Sequence, residues 1–370
     1  MRICIIHPGA TTSISDVYDG LLNGLKANGH EVVQYKLSDR IVRAGEFLSY
    51  IWKLEKKRGR LREKPNTADI LYQACCDSIP RILRFNPDWT IVVTGMYYPK
   101  YFLQLLRNAN LRVGLLLTES PYDDDAQERL ASYVTAVCTN ERTSVERLRI
   151  SNPNTFYLPH AYDQERHTPE ATEEDAKVKA HDVVFVGTCF QERIELLSRV
   201  DWTGIDLGLY GNWDDLGSRS KLRKYVCGED TENKTTAALY RKAKIGLNLY
   251  RNSKGFGRNA PKIQRAESLN PRAYELAACG AFHLSDERDE LKEIFGELVP
   301  TFEDAESLET QIRWWLADDK GRAEIGRQLP TLVAPHHWQN RAKDLVDILS
   351  IWEPRRNTQV QSMPRSMASA

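Results

Sequence analysis

The chain has 370 residues, with 51 Lys plus Arg against 51 Asp plus Glu, and is 41% hydrophobic and 28% charged. The balance argues against a protein that binds nucleic acid through bulk positive charge, and the composition against a disordered chain. No run approaches 18 uninterrupted apolar residues, so no transmembrane helix is read, and at this length two domains are the expected solution.

In chain order, the opening MRICIIHPGATTSIS reads as a first strand over 2–7 and not as a signal peptide. A helix follows over 16–27, with Val17, Leu21, Leu22 and Leu25 on one face and Ser15 as N-cap. Asn28-Gly29 ends it before a strand over 31–35, the β-loop-α-β start of an open parallel sheet. Helices are expected over 42–62 and 68–83, then alternating strands and helices: 89–93, 99–108, 112–117, 125–133, 134–138, 141–150 and 155–158. Residues 164–181 hold almost no large apolar side chain and read as a surface linker.

A second series begins at 182–187, a strand ending in Gly187. Helix 191–199, strand 205–210, helix 235–243, strand 245–250, helix 271–279 and strand 281–284 follow, then helices over 287–294, 305–317, 320–328 and 338–352. The expected domains are therefore 1–163 and 182–335, joined by the linker 164–181. A C-terminal helix at 336–353 packs back on the first domain, and 354–370 form a disordered tail. Seven scattered cysteines without a CxxC pair suggest reduced thiols in a cytoplasmic compartment, and His336-His337 have no partner at metal spacing.

The most informative segment is AESLNPRAYELAACGAF at 266–282. Pro271 suits a helix N-terminus and Gly280 its end. The turn before that helix then points free backbone N–H groups at a phosphate. Glu267 and Glu275, eight positions apart, are placed to grip sugar and ribose hydroxyls, with Asn270 and Arg272 between them.

Over SLNPRAYELAACGAFHLSDERDEL at 268–291 the chain resembles the GT-B glycosyltransferases that use nucleotide sugars, the spore-protein CgeB-like branch of the group-1 superfamily. The Glu267-x7-Glu275 spacing is similar to the paired glutamates of retaining members. The wider family has a Gly-Phe-Gly-type turn after the first glutamate, where this chain has Ser268-Leu269-Asn270-Pro271. The resemblance implies an α/β GT-B fold, two Rossmann-like domains facing each other across a cleft. It implies a UDP- or GDP-sugar as donor substrate, UDP or GDP as product, and neither a tightly bound cofactor nor a metal. It leaves the acceptor open among a protein, a glycan and modified DNA.

Other candidates sit in loops after strands, where open parallel sheets bind ligands. Gly9 lets the first loop approach the reacting sugar. Gly187 and Arg193 lie near the donor diphosphate, Gly211 and Asn212 (with Trp213) near the base or sugar. Segment 251–265 carries five basic residues and no acid, and offers Lys254 and Arg258 to the leaving diphosphate. Glu119, with Asp123, is a candidate for acceptor contact or a base, and His160, with Asp163, is placed to face the donor. Residues 53–64 form a basic patch that suits an acidic partner. The rival readings are a nucleotide-sugar epimerase of the same form and a non-catalytic sugar-nucleotide-binding protein.

Overall fold

The computed structural model describes residues 1–9, 15–60, 63–228, 233–254, 260–263 and 265–352. Apolar, β-branched runs become parallel strands covered on both faces, and the amphipathic stretches between them become crossover helices. The first unit runs β1 (Arg2–His7), α1 (Ser15–Ala27), β2 (Glu31–Lys36), α2 (Ser38–Lys57), α3 (Thr67–Cys75), α4 (Ser78–Phe85), β3 (Trp89–Val93), α5 (Lys100–Asn108), β4 (Val113–Leu117), α6 (Asp124–Ala131), β5 (Ala136–Thr139), α7 (Ser144–Ser151) and β6 (Thr155–Tyr157). The second runs β7 (Val183–Val186), α8 (Gln191–Arg199), β8 (Leu207–Tyr210), β9 (Val226–Gly228), α9 (Asn233–Lys242), β10 (Ile245–Asn248), α10 (Pro271–Ala278), β11 (His283–Asp286), α11 (Asp289–Phe295), β12 (Thr301–Phe302), α12 (Ala305–Ala317) and α13 (Asp319–Val333), and α14 (Trp338–Leu349) ends the description.

Each unit holds a six-stranded sheet, of order β2-β1-β3-β4-β5-β6 and β12-β11-β10-β7-β8-β9. Every pair is parallel; Ile5 of β1, for example, faces Gln34 on one side and Ile91 on the other. The two Rossmann-like sheets with their flanking helices make the GT-B fold that the sequence implied. Separate cores serve them, around Ile3, Ile91 and Leu116 in the first unit and Val183, Phe185 and Leu247 in the second.

The structure departs from the sequence reading at several elements. The helix expected over 68–83 is two, α3 and α4, because Pro80 has no N–H for the Cys76 carbonyl. Asp77 at the break also accepts from the Tyr35 hydroxyl, from Arg40 at 2.7 Å and from Arg81 at 2.7 Å. Helix α2 begins at Ser38, four residues before the expected start. Strands β9 and β12, of 3 and 2 residues, are too short to show a periodicity. Segment 164–181 is tied to both units: Arg166 pairs with Asp16 at 2.6 Å, and Asp175 with Arg241 at 2.5 Å. The tail at 354–370 lies outside the described residues.

Helix α14 lies on α1, with Trp338, Ala342, Leu345 and Leu349 in the core of the first unit. Two glycines permit this close crossing. A Cβ on Gly20 would overlap the Trp338 indole, and one on Gly24 would come within 2.6 Å of the Trp338 carbonyl oxygen. We expect Gly20→Ala to destabilise the fold by about 1–3 kcal/mol through overpacking, although alanine is the better helix former. Urea unfolding checks this, and an unchanged or raised midpoint would contradict the packing. Among the described residues no helix is long and apolar enough to cross a membrane.

Candidate functional site

The carboxyl ends of β4, β5, β7, β8 and β10 converge on a cavity of about 490 Å³ between the two sheets. Its first-unit wall is built by Asp16, Thr118–Tyr122, Asn140, Glu141 and His160. The second-unit wall carries Gly187, Arg193, Gly211, Asn212, Arg251 and the start of α10 through Glu275. Sequence reasoning expected Glu119, His160, Gly187, Arg193, Gly211, Asn212, Asn270, Pro271, Arg272 and Glu275 at one cleft, and all of them line this cavity.

Two arginines give the second-unit wall its charge. Arg193 donates to the carbonyl oxygens of Thr188 at 2.9 Å and Leu249 at 2.6 Å. Arg272 donates to those of Val186 at 2.9 Å and Leu249 at 3.3 Å. Both guanidinium groups lie over the Phe185 ring, and neither has an ion pair among the described residues. Burial and the neighbouring Arg272 push Arg193 down to about 9. Two adjacent cations held only by neutral oxygens form a site ready for an anion with two or more charges.

Glycine makes room for this arrangement. A Cβ on Gly187 would come within 2.6 Å of Arg272 Nη2, and one on Gly211, at φ 98°, within 2.7 Å of the Gly187 carbonyl oxygen. Asn212 lines the rim, with its side chain accepting from the Asp214 N–H at 3.2 Å. Trp213 is a core residue, 2% exposed, and takes no part in the wall.

Glu275, on the inner face of α10, makes no side-chain hydrogen bond among the described residues. Burial, Asp16 and Asp163 raise its carboxyl to about 7, against the opposing pull of Arg272 and Arg166. On the opposite wall Glu119 pairs with Arg251 at 3.3 Å, and burial raises it too. Arg251 lies 4.0 Å from the Tyr122 ring centre. His160 is 7% exposed and bonds the Thr118 backbone; burial and Arg341 lower it to about 4, so the imidazole is neutral near pH 7.

Several expectations change. Three N–H groups of the turn before α10, those of Glu267, Ser268 and Leu269, are taken by carboxylates and not free for a phosphate. Glu267 N–H donates to Glu141 Oε1 at 3.1 Å, Ser268 N–H to Glu141 Oε2 at 3.2 Å, and Leu269 N–H to Glu290 Oε2 at 2.6 Å. Asn270 caps Ala273 N–H at 3.1 Å and donates to Asn248 at 2.9 Å, so it holds the helix. Glu267 itself is not in the cavity lining; its carboxylate pairs with Arg265 at 2.7 Å. It precedes α10 and does not share a helical face with Glu275. Gly9, at φ 102°, packs against Ser38, and Lys254 pairs with Asp125 at 3.0 Å across the rim; neither lines the cavity. Arg258 lies outside the described residues.

Sequence reasoning missed Glu141, Glu290 and Arg251. Arg251 stood in the flagged basic segment, beside the two cations that were chosen. Glu141 and Glu290 have long-range partners that no local pattern signals. Among the described residues no cluster of His, Cys, Asp or Glu could hold a metal ion.

Residues 192–347 match the family model described as glycosyl transferase-like. The spore protein CgeB of Bacillus subtilis (strain 168) is 23% identical over 216 residues, which cover 57% of this chain and 67% of that protein. Among solved structures, sucrose-phosphate synthase from Thermosynechococcus elongatus superposes with a TM-score of 0.67 at 15% identity, covering 95% of this chain and 98% of that one. A trehalose-6-phosphate protein from E. coli, bound with UDP-2-fluoro glucose, gives 0.58 at 11% identity, covering 96% of this chain and 100% of that one.

Proposed function

We propose that this chain of GT-B fold is a group-1 glycosyltransferase that moves a sugar from a UDP- or GDP-linked donor to a hydroxyl acceptor, with retention and without a metal. The observation that carries this reading is the pair Arg193 and Arg272, two adjacent cations with no ion pair among the described residues, facing the cavity beside the uncommitted Glu275. A nucleoside diphosphate supplies the charge that this pair lacks. The E. coli protein of the same fold, which holds UDP-2-fluoro glucose, supports a donor of that kind.

In the transition state the glycosidic carbon becomes oxocarbenium-like and the diphosphate gains charge. Arg193 and Arg272 meet that growing charge from positions already fixed by main-chain carbonyls, with little reorganisation. Arg251, at the mouth of the same wall, can turn from Glu119 toward the phosphates. Glu275 accepts from donor hydroxyls. The departing phosphate takes the acceptor proton, so retention needs no separate base. His160, neutral and weakly basic, orients a hydroxyl. The seven free thiols fit a cytoplasmic setting.

Incubation with UDP-, GDP- and TDP-sugars tests this. One donor is expected to be hydrolysed slowly without acceptor, at a rate unchanged by EDTA. Interconversion of free UDP-N-acetylglucosamine would mark an epimerase instead, and no reaction with any donor would leave a binding protein.

A further inference from the structure

The two walls of the cavity differ in charge. The cations that line it, Arg193, Arg251 and Arg272, all belong to the second unit. The first-unit wall, opposite the diphosphate site, carries no cation among the described residues and includes the carboxylates of Asp16 and Glu119.

The nearby first-unit cations are already paired: Arg166 with Asp16 at 2.6 Å and Asp163 at 3.4 Å, and Lys36 with Asp39 at 3.4 Å. The rest of this wall offers neutral hydrogen-bonding groups. Thr118 Oγ1 is buried without a partner among the described residues. The His160 imidazole is neutral and more than nine-tenths buried. Asn140 fixes the loop that carries them, accepting from Ser120 N–H at 3.1 Å and donating to its carbonyl at 3.0 Å.

From this asymmetry we infer that the acceptor is an uncharged polyhydroxylated molecule, a sugar hydroxyl donor without a phosphate or carboxylate. The inference rests on the reading of the cavity as a nucleotide-sugar transferase site. Hydroxyls satisfy Thr118, His160 and the carboxylates together, since a carboxylate accepts from two hydroxyls at once. A phosphate on the same wall would face Asp16 and Glu119 in a partly buried setting where like charges repel strongly. Arg251 offers it little relief, because Glu119 and the donor diphosphate already compete for that guanidinium.

The test uses matched probes with the full chain and its preferred donor: glucose against glucose 6-phosphate, and mannose against mannose 6-phosphate. UDP release and transfer products by mass spectrometry are the readouts, with UDP and GDP affinity measured alongside. The uncharged member of each pair should accelerate UDP release at least tenfold more than its phosphorylated partner. In Glu119→Gln that ratio should narrow several-fold, whatever the variant's absolute rate. Preference for a phosphorylated member, no response to any probe in a chain that binds UDP, or an unchanged ratio in Glu119→Gln would overturn the inference and leave the donor reading standing. Absence of both UDP and GDP binding would remove the donor reading itself.

Discussion

Glu275→Gln is expected to lower turnover of the sugar donor by ~100-fold or more, while leaving the protein as stable as before, or more stable, above pH 7. The two effects have one cause. Glu275 faces the cavity from α10 without a hydrogen-bond partner among the described residues, and its carboxyl is raised to about 7. Between its unfolded value near 4.5 and 7, the folded chain holds a proton there that the unfolded chain has lost. Stability from this group therefore falls as pH rises through that window, by about 1–3 kcal/mol after allowing for solvent in the cleft. Glutamine removes the fall. Binding of donor hydroxyls runs the other way, because the ionised carboxylate is the stronger double acceptor. Turnover by the unsubstituted chain should rise with pH through about 7 while its melting temperature declines. A variant that turns over normally, or melts lower at pH 8, would show that Glu275 holds the fold and not the ligand.

The fold was legible because parallel strands buried on both faces leave dense apolar runs, and most of these end in loops that begin with glycine or a polar residue. Ile3–Ile6, Val113–Leu117 and Val183–Val186 carried that signal. Strands β9 and β12 sit at sheet edges and left no comparable run. Within the site, Arg193 and Gly187 were found because topology puts the loop after β7 at the cleft. Glu275 was found from its place on the helix read over 271–279, eight positions after Glu267. The occupied part of the turn before α10, residues 267–269, escaped notice because a helix N-terminus looks available until its long-range partners are known. Glu141 is 126 residues away from Glu267, and nothing near either residue announces the contact. Glu290 is closer, 21 residues from Leu269, but stands in a charged run that reads as a solvated helix face. Both carboxylates are buried, at 2% and 4% exposure.

That contact sets the second large effect. Glu141 follows β5 in the first unit, yet it accepts from Glu267 N–H and Ser268 N–H in the second, and from Thr143 N–H and Oγ1 at 3.0 Å each in its own. Glu290 mirrors it from the second unit. It accepts from Leu269 N–H at 2.6 Å and, across the interface, from the Tyr157 hydroxyl at 2.6 Å and Arg142 at 3.2 Å. The 267–269 turn is thus clamped by one carboxylate from each unit, just before the helix that carries Arg272 and Glu275. Glu141→Ala would orphan three backbone N–H groups, and buried donors left unpaired cost about 1–3 kcal/mol each. Water entering the widened gap recovers part of that, so a loss of ~3–5 kcal/mol is expected, with Glu141→Gln losing less because its amide oxygen still accepts. The weakened clamp should separate the units and misplace both donor-binding side chains. Small-angle scattering should show a larger radius of gyration, and kcat/KM should fall ~10–100-fold, since small misplacements of positioning groups carry costs of that order. A variant that unfolds less stably but keeps its scattering profile and kinetics would confine Glu141 to local stability. The Glu141–Glu290 pair would then hold the turn together without setting the width of the cleft.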